Sequence, residues 1–219
     1  MKFSWHGHAC VQLQTLDGTK IIIDPFINGN PYSDLDVESV VADYIILTHG
    51  HEDHVGDALA IARNNEATII AVVELADHLA SIDVKTHGMN IGGSFSFPFG
   101  TVKLTPAIHS SSYDGDYMGL AAGVIVNDTS ATIYHAGDTA LFTDMSLIGP
   151  VTAALLPIGD NFTMGIRDAL HAAQLIQSEL YIPIHYNTFP VIEQNPYEFT
   201  NMLHDNRGLV PEIGEQIEL

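Results

Sequence analysis

The stretch Thr48-His49-Gly50-His51-Glu52-Asp53-His54, entered from the apolar run Tyr44-Ile45-Ile46-Leu47, decides how the rest of the chain is read. A short apolar run reads as a buried strand, and three imidazoles with a carboxylate at its end are donors suited to a divalent metal. In an extended segment His49 and His51 share a side. Once the backbone turns at Glu52, Asp53 and His54 reach the same cavity from another direction. One loop thus supplies two ligand pairs, which points to two metals and requires at least three more ligands elsewhere.

Working outward, Lys2–Trp5 and Cys10–Gln14 read as short strands interrupted by His6-Gly7-His8. Asp17-Gly18 is a hairpin signal, and the strand Lys20–Ile23 ends at Asp24-Pro25. Asp24 reads as a carboxylate holding the second N–H of a metal-bound histidine. Residues 28–38 are rich in Gly, Pro, Asn and Asp and read as a loop. Beyond the metal loop the pattern predicts a helix over 56–63, a strand over 67–73 and a helix over 74–80. Short strands follow over 94–97, 102–106, 120–126 and 132–134, and helices over 168–178 and 196–205. Strand-helix units on either side of a strand meander imply two packed sheets with helices outside, an α/β architecture. No repeat or linker divides the 219 residues, so residues 1–219 read as a single domain.

The missing ligands have a common placement. His109, Asp138 and His185 each lie where an apolar strand opens into a small polar turn, as His49 does. Rigid strand ends are where a preorganised metal site is built. His135, beside Asp138, reads either as a group supporting a ligand or as a packed histidine. Ser110 to Ser112 are not needed as nucleophiles beside a metal hydroxide. His78, His87, His171 and His204 read as surface or helix-packing residues.

Composition narrows the function classes. The formal net charge is −20, yet charged residues make up only 16% of the chain, so the imbalance comes from scarce Lys and Arg. A basic stripe for nucleic acid is therefore not expected. Neither a signal peptide nor a membrane span is visible. Single Cys10 excludes an internal disulfide framework and reads as packing, and a cytoplasmic location is expected. The expected partner is a small-molecule substrate, with a homo-oligomer as a further expectation.

The set Asp24, His49-x-His51-x-Asp53-His54, His109, Asp138 and His185 resembles, in order, the five motifs of the metallo-β-lactamase superfamily. More narrowly, Met89-Asn90-Ile91-Gly92-Gly93, Tyr134-His135-Ala136-Gly137-Asp138-Thr139, Gly159-Asp160-Asn161-Phe162-Thr163-Met164-Gly165 and His185-Tyr186-Asn187-Thr188-Phe189-Pro190 resemble segments of the bacterial and archaeal metal-dependent hydrolase family that is similar to ascorbate-phosphate lactonases. The resemblance implies a four-layer αβ/βα sandwich. It implies two divalent ions per chain, zinc first, with manganese, iron or nickel as alternatives. His49, His51 and His109 would hold one, Asp53, His54 and His185 the other, and Asp138 would bridge them. Imidazole at His51, where flavodiiron relatives usually carry Glu, favours hydrolysis. A hydroxide shared by the metals would cleave a small, anionic ester, lactone or phosphodiester, with Asp53 handling the proton. His8, Asn161, Thr163 and Asn187 are the candidate substrate-binding residues, with turn-building as the equal alternative for Asn161, Thr163 and Asn187. The alternatives are a mononuclear iron-dependent oxidation of a sulfur compound and a non-catalytic metal-stabilised binding or sensor protein.

Overall fold

The computed structural model describes all 219 residues. In chain order the first sheet takes β1 (Lys2–Trp5), β2 (Val11–Gln14), β3 (Lys20–Ile23), β4 (Tyr44–Ile46), β5 (Thr68–Val72) and β6 (Lys85–Met89). The second takes β7 (Ser94–Phe97), β8 (Gly100–Pro106), β11 (Ala122–Asn127), β12 (Thr132–His135), β13 (Val151–Pro157) and β14 (Ser178–Ile184), after a small separate hairpin of β9 (Ser112–Tyr113) and β10 (Asp116–Tyr117). A last strand, β15 (Ile217–Glu218), returns to the first sheet beside β1. The strand orders are β15-β1-β2-β3-β4-β5-β6 and β14-β13-β12-β11-β8-β7.

Residue alternation along the strands explains the layering. Ile21, Ile23, Ile46 and Ile70 face the second sheet and join its Val102, Leu104, Val124, Val126, Ile133 and Leu155 in one core. Ile22, Ile45, Leu47, Ile69 and Ala71 point the other way, against the helices α2 (Ala58–Asn65) and α3 (Val73–Ala80). Cys10 is packed in this outer core. Strands buried on both faces need apolar residues at nearly every position, which is why β3 to β5 read as continuous apolar runs. On the far side α4 (Ile166–Leu175) presents Ala169, Ala172 and Ala173 to the second sheet. Helix α5 (Pro196–Asn201) begins at an Asn195 cap whose side chain accepts from the Tyr197 N–H. The result is a four-layer α/β sandwich.

Boundaries differ from the sequence reading in instructive places. The helix expected over 56–63 is α2, shifted to Ala58–Asn65, and an unexpected single turn α1 (Glu52–Val55) precedes it within the metal loop, with Gly56 breaking the path between them. The helix expected over 168–178 ends at Leu175, since Ser178 already belongs to β14. The one expected over 196–205 stops at Asn201, and Asp205 adopts a left-handed φ of 63°. Strands β6, β13, β15 and the β9–β10 hairpin have no counterpart in the sequence reading. Functional ligands gather at one edge because β3, β4 and β5 run parallel, as do β12, β13 and β14. The Ala122 N–H, donating to the Thr48 carbonyl at 2.9 Å, ties the metal loop to the second sheet.

Gly56 is the tightest point of that loop. Its φ of 44° and ψ of −123° suit only glycine, and a Cβ there would sit 2.4 Å from the Pro25 carbonyl oxygen. The next residue, Asp57, accepts from the Ile27 and Asn28 backbone N–H groups and the Asn28 amide. Gly56→Ala is expected to lower the unfolding free energy by about 2 kcal/mol, measured as a fall in the urea midpoint at constant slope; an unchanged midpoint would show that the loop is not constrained in this way.

Candidate metal centre

Asp24 follows β3 in a left-handed conformation (φ 46°) and is fully buried. Its Oδ1 accepts from the Thr48 N–H at 2.8 Å, and its Oδ2 accepts from the Thr48 hydroxyl at 2.6 Å and from His54 Nδ1 at 2.7 Å. That last bond fixes the His54 tautomer, since Nδ1 must carry the proton and Nε2 is left with a lone pair. The Thr48 hydroxyl, having given its proton to Asp24, accepts from His49 Nδ1 at 3.0 Å. His49 Nε2 is thereby freed in the same way. A single buried carboxylate thus orients two imidazoles that stand on either side of a turn.

Asp138 enters from the second sheet. It lies beyond β12, after Gly137, whose φ is 61° and whose Cβ, if present, would meet the Ala122 carbonyl oxygen at 2.6 Å. His135 holds this turn: it is buried, its Nε2 donates to the Ala9 carbonyl at 3.0 Å, and its Nδ1 accepts from the Gly137 N–H at 3.1 Å. Around the Asp138 carboxylate stand His185 Nε2 at 3.0 Å, His54 Nε2 at 3.3 Å and His109 Nε2 at 3.5 Å. His109 is placed by the Ile108 N–H donating to Thr139 Oγ1 at 3.0 Å. His185, at the end of β14, is a second left-handed residue (φ 55°).

The ligand atoms fall into overlapping groups, each within 4.8 Å. His49, His51 and His109 form one, and His8, Asp53, His54 and His185 another; His49, His54 and Asp138 lie between them. In the first, His49 Nε2 and His51 Nδ1 face each other at 2.9 Å, while His51 Nε2 meets Ser110 Oγ at 3.2 Å. His49, His54, Asp138 and His185 are buried, whereas His51 and His109 are half-buried and open the first group toward solvent.

Whether these residues suit a metal can be judged from their unsatisfied atoms. His54 Nε2, Asp138 Oδ1 and both ring nitrogens of His185 are buried without a hydrogen bond. Two of these nitrogens, His54 Nε2 and His185 Nε2, lie 3.3 and 3.0 Å from the Asp138 carboxylate without a hydrogen bond to it. Leaving a buried polar group unpaired costs about 1–3 kcal/mol. A divalent cation accepts several such lone pairs at once, and imidazole nitrogen with carboxylate oxygen is a suitable donor set for it. The residues therefore fit a metal centre.

Charge states support the same reading. Burial, with His54 next, pushes His49 well below the ordinary histidine range, and burial likewise lowers His51 and His109. Neutral imidazole is the ligating form. His54 is the exception: burial disfavours charge on it too, but Asp138 and Asp24 on either side outweigh it and raise this one, so His54 must release its Nε2 proton for that lone pair to meet a cation. Burial would raise Asp53, yet its bond to His8 and the nearby His54 prevail and hold it below the usual carboxylate range.

Of the expected substrate-binding residues, His8 departs most from a cleft setting. His8 is completely buried, not open to a cleft, and its ring is bonded to Asp53 and Thr188. Asn187 closes a turn, its Oδ1 accepting from the Gln194 N–H at 2.8 Å, and Thr163 Oγ1 donates to the Met164 carbonyl at 3.2 Å. Asn161 is exposed in a loop that the Met164 N–H ties to the Thr139 carbonyl, next to Asp138. His6 is paired with Asp34 and lies outside the metal set. His78 and His87 pack against Tyr113 and Phe95, while His171 and His204 are exposed. Thr48 and Thr188 are the functional positions that sequence reasoning passed over; both sit inside quoted motifs, but nothing in their spacing marks them.

The chain is similar to known proteins over its whole length. Residues 19–186 match the family model described as a beta-lactamase superfamily domain. A UPF0173 metal-dependent hydrolase of Enterococcus faecalis is 52% identical over 224 residues, covering 99% of each chain. One from Anoxybacillus flavithermus is 52% identical over 227 residues and covers both chains completely. Among solved structures, a metallo hydrolase from the hyperthermophilic archaeon Ignicoccus hospitalis superposes with a TM-score of 0.91 at 38% identity, covering 99% of this chain and 97% of that one. With full-length coverage at this identity, the chain belongs to the UPF0173 metal-dependent hydrolases of the metallo-β-lactamase superfamily.

Proposed function

We propose that this metal-dependent hydrolase is binuclear and cleaves a small ester, lactone or phosphodiester. The observation that carries the reading is the clustering of ligand atoms into two adjoining groups, with His49, His54 and Asp138 spanning the space between them. His49, His51 and His109 would hold one divalent ion, zinc first and manganese, iron or nickel as alternatives. Asp53, His54 and His185 would hold the other. Two complete donor groups argue against a mononuclear oxidative role.

When bound, the ions supply a hydroxide nucleophile at neutral pH and stabilise the negative charge that develops on the substrate. The chain's own residues do the rest. Asp24 and Thr48 keep the Nε2 lone pairs of His54 and His49 pointed inward. Asp53, about a quarter exposed and ionised, is placed to accept a proton from the attacking water and return it to the leaving group. An anionic group on the substrate would meet the ions themselves, because Lys and Arg are scarce: of the seven, Lys85 is paired with Glu66, Arg63 donates to the Ile82 carbonyl, and Arg207 donates to the Ser178 carbonyl and lies over the face of Tyr181. We place the enzyme in the cytoplasm, acting on a small molecule without nucleic acid or membrane. No helix is long and apolar enough to cross a membrane.

Elemental analysis of purified protein with a screen of phosphodiesters, lactones, thioesters and phosphomonoesters tests the reading. Two ions per chain, loss of turnover on chelation and its recovery with zinc or manganese are expected, and Asp138→Ala should abolish turnover with loss of metal. One iron and no hydrolysis would overturn it. For the proton role, Asp53→Asn should lower kcat by about 100-fold or more; full activity at full metal content would refute that role.

A further inference from the structure

His8 is bound more thoroughly than any role at a substrate cleft would require. It sits in the turn between β1 and β2 with a φ of 54°, fully buried. Its carbonyl accepts from the Trp5 indole N–H at 2.9 Å and from the His185 backbone N–H at 2.9 Å. Its ring lies 4.0 Å, centroid to centroid, from that of His185. On its two edges are Thr188 Oγ1 at 2.8 Å from Nδ1 and Asp53 Oδ2 at 3.2 Å from Nε2. Phe26 and Phe189 close around it edge-on, each 5.5 Å away.

The bonds fix the tautomer. A carboxylate oxygen only accepts, so Nε2 carries the proton toward Asp53, and Nδ1 accepts the proton of the Thr188 hydroxyl. Asp53 lies in α1, which follows β4 of the first sheet, and Thr188 in the loop after β14 of the second, and His8 is the side chain joining them. Of the three protein groups assigned to the second ion, His8 therefore positions two: Asp53 through its ring N–H, and His185 through its carbonyl and by contact of the two rings, which are tilted 42° to each other.

We infer that His8 is a positioning residue for the second metal, holding Asp53 and His185 in register through a Thr188–His8–Asp53 chain. The inference rests on the binuclear reading above. It goes further by giving His8, which lies in the second group but is not among the three ligands assigned to that ion, control over the occupancy of one half of the centre. Groups of this kind typically affect metal affinity by 10–100-fold when removed.

The test is titration of metal-free protein with manganese(II) alone, counting free and bound ions by electron paramagnetic resonance, with no substrate. Wild-type protein should bind two ions per chain. His8→Asn, which tolerates the left-handed backbone, should keep one ion at wild-type affinity and bind the other about 10–100-fold more weakly. Thr188→Val should weaken the same ion, and Thr188→Ser, which keeps the hydroxyl, should restore it. If His8→Asn does not fold, the two Thr188 variants decide. Two ions at wild-type affinity in His8→Asn, or equal weakening of both, would overturn the inference. Weakening by His8→Asn with Thr188→Val unaffected would make His8 a ligand in its own right and would also overturn it. Wild-type protein binding fewer than two ions is a different failure: the binuclear reading falls first and takes this inference with it.

Discussion

The arrangement depends on one buried carboxylate that touches no solvent and holds no metal in the assignment above. Asp24 joins the end of β3 to the Thr48 backbone, the Thr48 hydroxyl and His54. An unpaired buried charge would be prohibitively costly, so its three partners are as much a condition of its burial as a result of it. Through them the tautomers of His54 and His49 are set before any ion arrives. Preorganisation of this kind is what separates a site from a collection of histidines.

Around this anchor the backbone is held in unfavourable conformations where the ligands and the residues that orient them leave their strands. His8, Asp24 and His185 are all left-handed, and Gly137 precedes Asp138 in the same region. Each non-glycine case costs on the order of 1 kcal/mol. The surrounding sheets supply the packing that tolerates this, since the strands feeding these turns are among the most deeply buried in the molecule. Rigidity in β3, β4, β12 and β14 is thus converted into side-chain aim at their ends.

Much of this was legible in the chain because the ligands sit directly after apolar runs that announce themselves, such as Tyr44–Leu47 and Tyr181–Ile184. What escaped did so for physical reasons. Strand β13, Val151-Thr152-Ala153-Ala154-Leu155-Leu156-Pro157, is buried on both faces and Ala-rich, so it shows neither alternation nor strong β propensity. Strand β6 carries Thr86-His87-Gly88, polar and flexible, and is a strand because it completes the sheet edge beside β5. Asn187 is ambiguous in sequence because the same amide builds turns and reads ligands, and here its carbonyl oxygen serves the turn. The His8–Thr188 bond spans 180 residues, a pairing that no local pattern can reveal.

That span has a consequence for folding order. His8, His49, His51, Asp53 and His54 come from the half of the chain that builds the first sheet, and His109, Asp138, His185 and Thr188 from the half that builds the second. Neither ligand group is complete until the two sheets have docked. Ions that recognise only the docked form draw the folding equilibrium toward it by mass action. The free energy of metal capture is then shared with the cohesion of the sandwich, and the centre acts as a late clasp between two halves that are far apart in sequence.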